Sequence, residues 1–161
     1  MLVVSNTSPL SNLAIIGRLE LLKHRYGNVR IPDEVERELT ALSHAFAKTQ
    51  IESALTEGWL TVDNSDAHPT HLDLRLDAGE TAAIGLALSI HADVLLIDEK
   101  RGRAAARSLG LSIGGLLGEL LHGKQSGALT NLRGEIERLR AEAGFFIDLE
   151  IERYILSQAG E

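Results

Sequence analysis

Four oxygen-bearing side chains stand where an α/β chain places its chemistry. Asn6 closes the apolar run LVVSN and Asp98 closes VLLID, both reading as buried strands that stop at a polar residue. In open parallel sheets ligands gather beyond the carboxyl ends of strands, where strand order reverses, so neighbouring strands would bring these two residues into one crevice. Glu38, in the helix that follows VRIP, and Glu80, in the first turn of the helix after LDAGE, begin near the same edge. Three uncompensated carboxylates in a crevice repel one another, and a divalent cation relieves that repulsion. An all-oxygen set, with no Cys in the chain, favours Mg²⁺ or Mn²⁺ over Zn²⁺. Such an ion suits phosphodiester hydrolysis. Each residue also has an ordinary explanation: Asp98 as a turn or cap, Glu80 as a partner of its helix dipole, Glu38 as a solvated face, Asn6 as an Asx turn.

The elements that must position these residues alternate. LVVSN leads into a helix with Ser8 as cap and Pro9 in its first turn, continued by a second short helix between Gly17 and Gly27. NVRIP is a strand closed by Pro32, and Asp33 caps the helix DEVERELTALSHA. A helix over 46–56 and the strand WLTV follow, then the polar stretch DNSDAHPTHLDLRLD, the longest loop. Asp77 caps AGETAAIGLALSIHA, ADVLLID is the clearest buried strand, and KRGRAAARSLG is a helix ending at Gly110. LSIG is a weak strand. Three helices complete the chain: GLLGELLHGKQ, LTNLRGEIERLRAEA with Thr130 or Asn131 as cap, and DLEIERYILSQ. This alternation predicts a three-layer α/β/α sandwich on a mostly parallel sheet, with a helical tail from Gly114 onward, in a single domain over 1–161.

Composition sets outer bounds. The 161 residues are 44% hydrophobic and 24% charged, enough for one core without staples. The absence of Cys excludes a disulfide framework, a thiolate metal site and a Cys nucleophile, and fits a reducing cytoplasm. MLVVSNTSPL lacks the basic start of a signal peptide, and His91 and Asp93 interrupt the most apolar stretch short of a membrane span, so a soluble cytoplasmic protein is expected. The net charge of -7 argues at first against nucleic acid. It is concentrated, however: residues 49–99 hold ten acids against Arg75, and directly afterwards KRGRAAAR presents Lys100, Arg101, Arg103 and Arg107.

Taken together, VVSNTSPLSNLA, VRIPDEVERELT, LDAGETAAIGLAL and VLLIDEKRGRAAARSLGL resemble the PIN-domain superfamily, and within it a VapC-like ribonuclease toxin subgroup. The resemblance spans nearly the whole chain. It implies a Mg²⁺- or Mn²⁺-dependent endoribonuclease, the toxin of a toxin–antitoxin pair, with a small antitoxin and a homodimer as partners. It places the metal and the catalytic site at Asn6, Glu38, Glu80 and Asp98, with Thr7 and Ser8 as bracing hydroxyls. Lys100, Arg101 and Arg103 would hold the RNA backbone. Glu34, one turn before Glu38, competes for the second position, and Glu99 could add charge beside Asp98. At the first position this chain has Asn6 where the family has an acid. A carboxamide oxygen still coordinates a cation but brings no charge.

Two readings follow: a metal-dependent ribonuclease, or a catalytically weakened PIN-like module that binds RNA or protein. A receiver-like signalling domain would want acids at the end of the first strand, where this chain has SNTS. His68 and His71 could bind a transition metal, although a polar loop explains them as well. Phe145 and Phe146 could serve the core or a partner surface.

Overall fold

The computed structural model describes residues 1–64 and 75–161. His68, His71 and most of the polar stretch around them lie outside the described residues.

Five strands form one parallel sheet: β1 (Val3–Ser5), β2 (Val29–Ile31), β3 (Leu60–Val62), β4 (Val94–Leu96) and β5 (Ile113–Gly114), in the order β3-β2-β1-β4-β5. From β1 the chain winds outward to β2 and β3, then returns to the other side of β1 for β4 and β5. The reversal lies between β1 and β4, where Ser5 is in register with Leu96 and the Asn6 N–H donates to the Leu96 carbonyl at 2.9 Å. Asn6 and Asp98 therefore do end neighbouring strands at the switch point.

Nine helices accompany the strands among the described residues: α1 (Thr7–Ile15), α2 (Glu20–Tyr26), α3 (Asp33–Thr40), α4 (Ala45–Glu57), α5 (Ala78–Ser89), α6 (Lys100–Ser108), α7 (Leu116–Gln125), α8 (Leu132–Ala143) and α9 (Leu149–Gln158). Right-handed crossovers place the α1–α4 connections on one face and α5 and α6 on the other. Accordingly α5 packs on β1, β4 and α6, and α1 packs with α4, α7 and α8. The expected α/β/α layering holds. The sequence of α5 carries no polar stripe, and its run from Gly79 through Ala87 is buried apart from Thr81, as befits a helix packed on several elements. Leu10, Leu13, Ile31, Leu39, Ile51, Ile84, Leu95 and Leu96 are completely enclosed between the layers.

Helix boundaries differ from the sequence reading in ways that matter for the site. The first helix begins at Thr7, with Asn6 rather than Ser8 in the N-cap position, so the turn that ends β1 directly starts α1. Pro32 holds the N-cap of α3, leaving Asp33 inside the first turn, where its charge faces the positive helix end. That helix stops at Thr40, whose hydroxyl turns back to the Glu36 carbonyl at 3.0 Å. His44 then caps α4, its Nδ1 accepting from the Ala47 N–H at 3.1 Å. Asp77 caps α5, and of the two candidates for α8 it is Asn131 that accepts from Gly134 N–H, at 3.0 Å. The helical tail packs back onto the sandwich: Glu135 of α8 receives Arg18 at 2.6 Å, and Glu152 of α9 is paired with Arg140.

These packing roles predict different costs. Leu13→Ala should lose about 2–5 kcal/mol of unfolding free energy, whereas Asn131→Ala should lose only about 1 kcal/mol, both measured by urea denaturation.

Candidate metal centre

Around the β1/β4 switch point, each acid is lodged against the start of a neighbouring helix. Glu38, on α3, accepts a hydrogen bond from the Thr7 hydroxyl of α1. Its carboxylate also rests on Gly79 in the first turn of α5: a Cβ there would lie 2.6 Å from Oε1. Glu80 rests in the same manner on Gly102 of α6, where a Cβ would stand 3.1 Å from Oε2 and 2.6 Å from the Ile97 side chain. Asp98 lodges at the start of α7, its Oδ1 accepting from the Leu116 N–H at 2.9 Å and lying 2.6 Å from where a Gly115 Cβ would be. Three helix N-termini thus supply positive potential to three carboxylates, and three glycines leave room for them.

Two buried oxygens at this point have no partner, Asn6 Oδ1 and Asp98 Oδ2. They belong to residues that end adjacent strands. Asn6 is 3% exposed, so water does not satisfy its carboxamide oxygen from outside, and an orphaned buried acceptor is costly.

Electrostatics around these groups are unfavourable to charge. Burial, reinforced by Asp77, Glu99 and Glu38, pushes the Glu80 carboxyl up to about 7. Burial also raises Asp98 to about 6, against the opposing pull of the Leu116 N–H and Arg103; Glu99 and Glu119 add to the rise. The Glu99 charge therefore acts on both Glu80 and Asp98. Glu99 is exposed at the N-cap of α6, while Asp98 turns toward α7. Successive residues leaving a strand point apart. Here that alternation sends Asp98 to one side and Glu99 toward Glu80, which makes Glu99 a fourth acid beside Glu38, Glu80 and Asp98. The DE pair at 98–99 was the signal for it.

The remaining sequence candidates sort clearly. Glu34 pairs with Arg37 at 3.8 Å, so Glu38 is the acid of α3 that meets Thr7 and α5. Ser8 sits in the first turn of α1, its carbonyl accepting from Ser11. The Arg103 guanidinium is anchored at the sheet edge, one nitrogen donating to the Ile97 carbonyl at 2.8 Å and the Gly114 carbonyl at 3.2 Å. Lys100 and Arg101 are exposed in the first turn of α6. Among the described residues no group of three acidic or His side chains is gathered closely enough to hold a metal ion as it stands.

Comparison with known proteins decides the family. A family profile described as PIN domain matches residues 2–161. The chain belongs to the PIN-domain family. The PIN fold is generally a nuclease fold, so a hydrolase is the coarse functional class. A PilT N-terminus domain protein from the hyperthermophilic archaeon Sulfolobus solfataricus has a similar structure. Its TM-score is 0.50 at 22% identity, covering 72% of this chain and 87% of that one, a likeness of fold. No curated protein matches the sequence. Among the described residues of this PIN domain, no helix is long and apolar enough to cross a membrane.

Two measurements test the geometry. Gly115→Ala drives a methyl group into Asp98 and Arg103 and should cost about 1–3 kcal/mol of stability, read by denaturant titration. The pH dependence has a definite sign. Because Glu80 rises from 4.5 to about 7 on folding, the unfolded chain releases its proton first. Metal-free stability should therefore fall as pH rises through that window. Thermal melts in chelator should show this decline, and Glu80→Gln should flatten it.

Proposed function

We propose that this PIN domain is a Mg²⁺- or Mn²⁺-dependent endoribonuclease. The observation that carries the reading is the pair of unpartnered buried oxygens, Asn6 Oδ1 and Asp98 Oδ2, on residues that end the adjacent strands at the switch point. The donors are all oxygens, which fits a hard divalent cation. Asn6, Glu38, Glu80 and Asp98 would hold it, with Glu99 adding charge from the rim. When bound, such an ion supplies charge neutralisation and Lewis-acid activation for phosphodiester hydrolysis.

The chain's own residues supply position. Thr7 fixes the Glu38 carboxylate, and the Leu116 N–H fixes one oxygen of Asp98, leaving the other free. Asp77 caps α5 by accepting from the Glu80 N–H at 2.7 Å, which sets the first turn that carries Glu80. Lys100 and Arg101 flank the crevice as exposed cations able to meet RNA phosphates, and Arg103 adds a guanidinium held in one orientation. Because Asn6 contributes no charge, metal affinity should be lower than with an acid at this position. A toxin role, with a small antitoxin covering this crevice and a homodimeric assembly, belongs to the same proposal and rests on the motif resemblance.

The decisive assay is cleavage of single-stranded RNA with and without Mn²⁺. Glu80→Gln and Glu38→Gln should each reduce metal-dependent cleavage on the order of 100-fold. Asn6→Asp should tighten Mn²⁺ binding by calorimetry. Full activity in Glu80→Gln would overturn the assignment. Absence of metal-stimulated cleavage in the wild type, with binding intact, would establish the non-catalytic module instead.

A further inference from the structure

A groove of about 570 Å³ runs from the candidate metal centre to the C-terminal helix. It is lined by Asp98 and Arg103, by Gly114, Gly115 and Gly118 of β5 and the start of α7, and by Phe146 and Tyr154. The two aromatic side chains are 87% and 62% exposed. Trp59 is buried, and of the three exposed aromatics among the described residues, Phe46, Phe146 and Tyr154, two line this one groove.

We propose that this groove is a nucleobase subsite, in which an unpaired base next to the scissile phosphate stacks on Phe146 and Tyr154. The proposal rests on the ribonuclease reading and adds how the strand is held. Continuity with the metal centre favours an RNA occupant: Asp98 and Arg103 are shared, so a phosphate at the crevice leaves its neighbouring base facing the groove. The side of the groove formed by α7 is open, since a Cβ at Gly118 would meet nothing within 4 Å, which leaves space for a flat ring. One oxygen of each acid that lines the groove is already engaged. Asp98 accepts from Leu116, and Asp148 accepts from the Glu150 N–H at 2.9 Å as the cap of α9.

Charge supports the same assignment. A chain of net charge -7 gains little from general attraction to phosphate, and its cations near the site are few. Holding a single strand then requires a contribution that does not depend on charge. Base stacking on aromatic rings provides it, and a duplex, whose bases are already stacked, cannot use it.

The test uses the wild-type full chain in chelator, so that no strand is cut, with fluorescein-labelled single-stranded hexaribonucleotides read by anisotropy. Base-bearing strands should bind about tenfold tighter than an abasic ribose–phosphate strand of equal length. Phe146→Ala and Tyr154→Ala should each remove part of that tenfold gain and the double variant about all of it, while Phe146→Trp keeps it. Equal binding of abasic and base-bearing strands, failure of the wild type to bind either, or unchanged affinity in the double alanine variant would overturn the proposal. A double variant that changes oligomeric state in light scattering but not RNA affinity would assign the face to a protein contact. Mn²⁺-dependent cleavage that Glu80→Gln abolishes, found together with any of these results, would leave the ribonuclease reading standing and remove only the base subsite.

Discussion

The close approach of a carboxylate to the N-terminal turn of a neighbouring helix is the constraint on which the site depends. It occurs three times: Glu38 on α5, Glu80 on α6 and Asp98 on α7. In each case a glycine occupies the point of contact, because any Cβ would stand within about 3 Å of a carboxylate oxygen or of Ile97. The helices are thereby fixed at the carboxyl edge of the sheet, with their positive ends aimed at the acids. The same contact does two things at once: it orients the site, and it offsets part of the cost of burying charge.

The offset is incomplete, as the raised Glu80 and Asp98 carboxyls show. Helix ends carry roughly half an elementary charge, too little to neutralise several acids that act on one another. A divalent cation in the crevice would remove the remainder, and it would also satisfy the orphaned Asn6 and Asp98 oxygens. On the proposed reading, stability and metal binding would be coupled through the same side chains.

Much of this was legible in the sequence. The strand-ending residues Asn6 and Asp98, the alternation of elements and the Asp77 cap follow from local patterns, and the structure places them as those patterns predict. What depends on contacts between distant segments was not legible. Nothing near Glu34 and Glu38 says which faces Thr7, because both lie on one helix one turn apart and only packing of α3 against α1 and α5 chooses. The roles of Gly79, Gly102 and Gly115 are similarly invisible, since each glycine serves a carboxylate from another element. The His44 cap was missed because histidine is an unusual cap, and the sequence reading carried α3 past Thr40 to include it.

Asn6 gains a physical meaning in this setting. An aspartate there would add a further buried negative charge beside Glu38, Glu80 and Asp98, with only the start of α1, which the residue caps, to offset it. The carboxamide keeps an oxygen ligand in place while sparing the metal-free fold that repulsion. The compensating cost falls on metal affinity, because the cation meets one fewer formal charge. Glu99 on the exposed rim can return part of that charge, and its influence already reaches both Glu80 and Asp98. On the proposed reading, moving charge from the buried strand end to the exposed rim would weaken the grip on a cation while sparing the metal-free fold part of the repulsion.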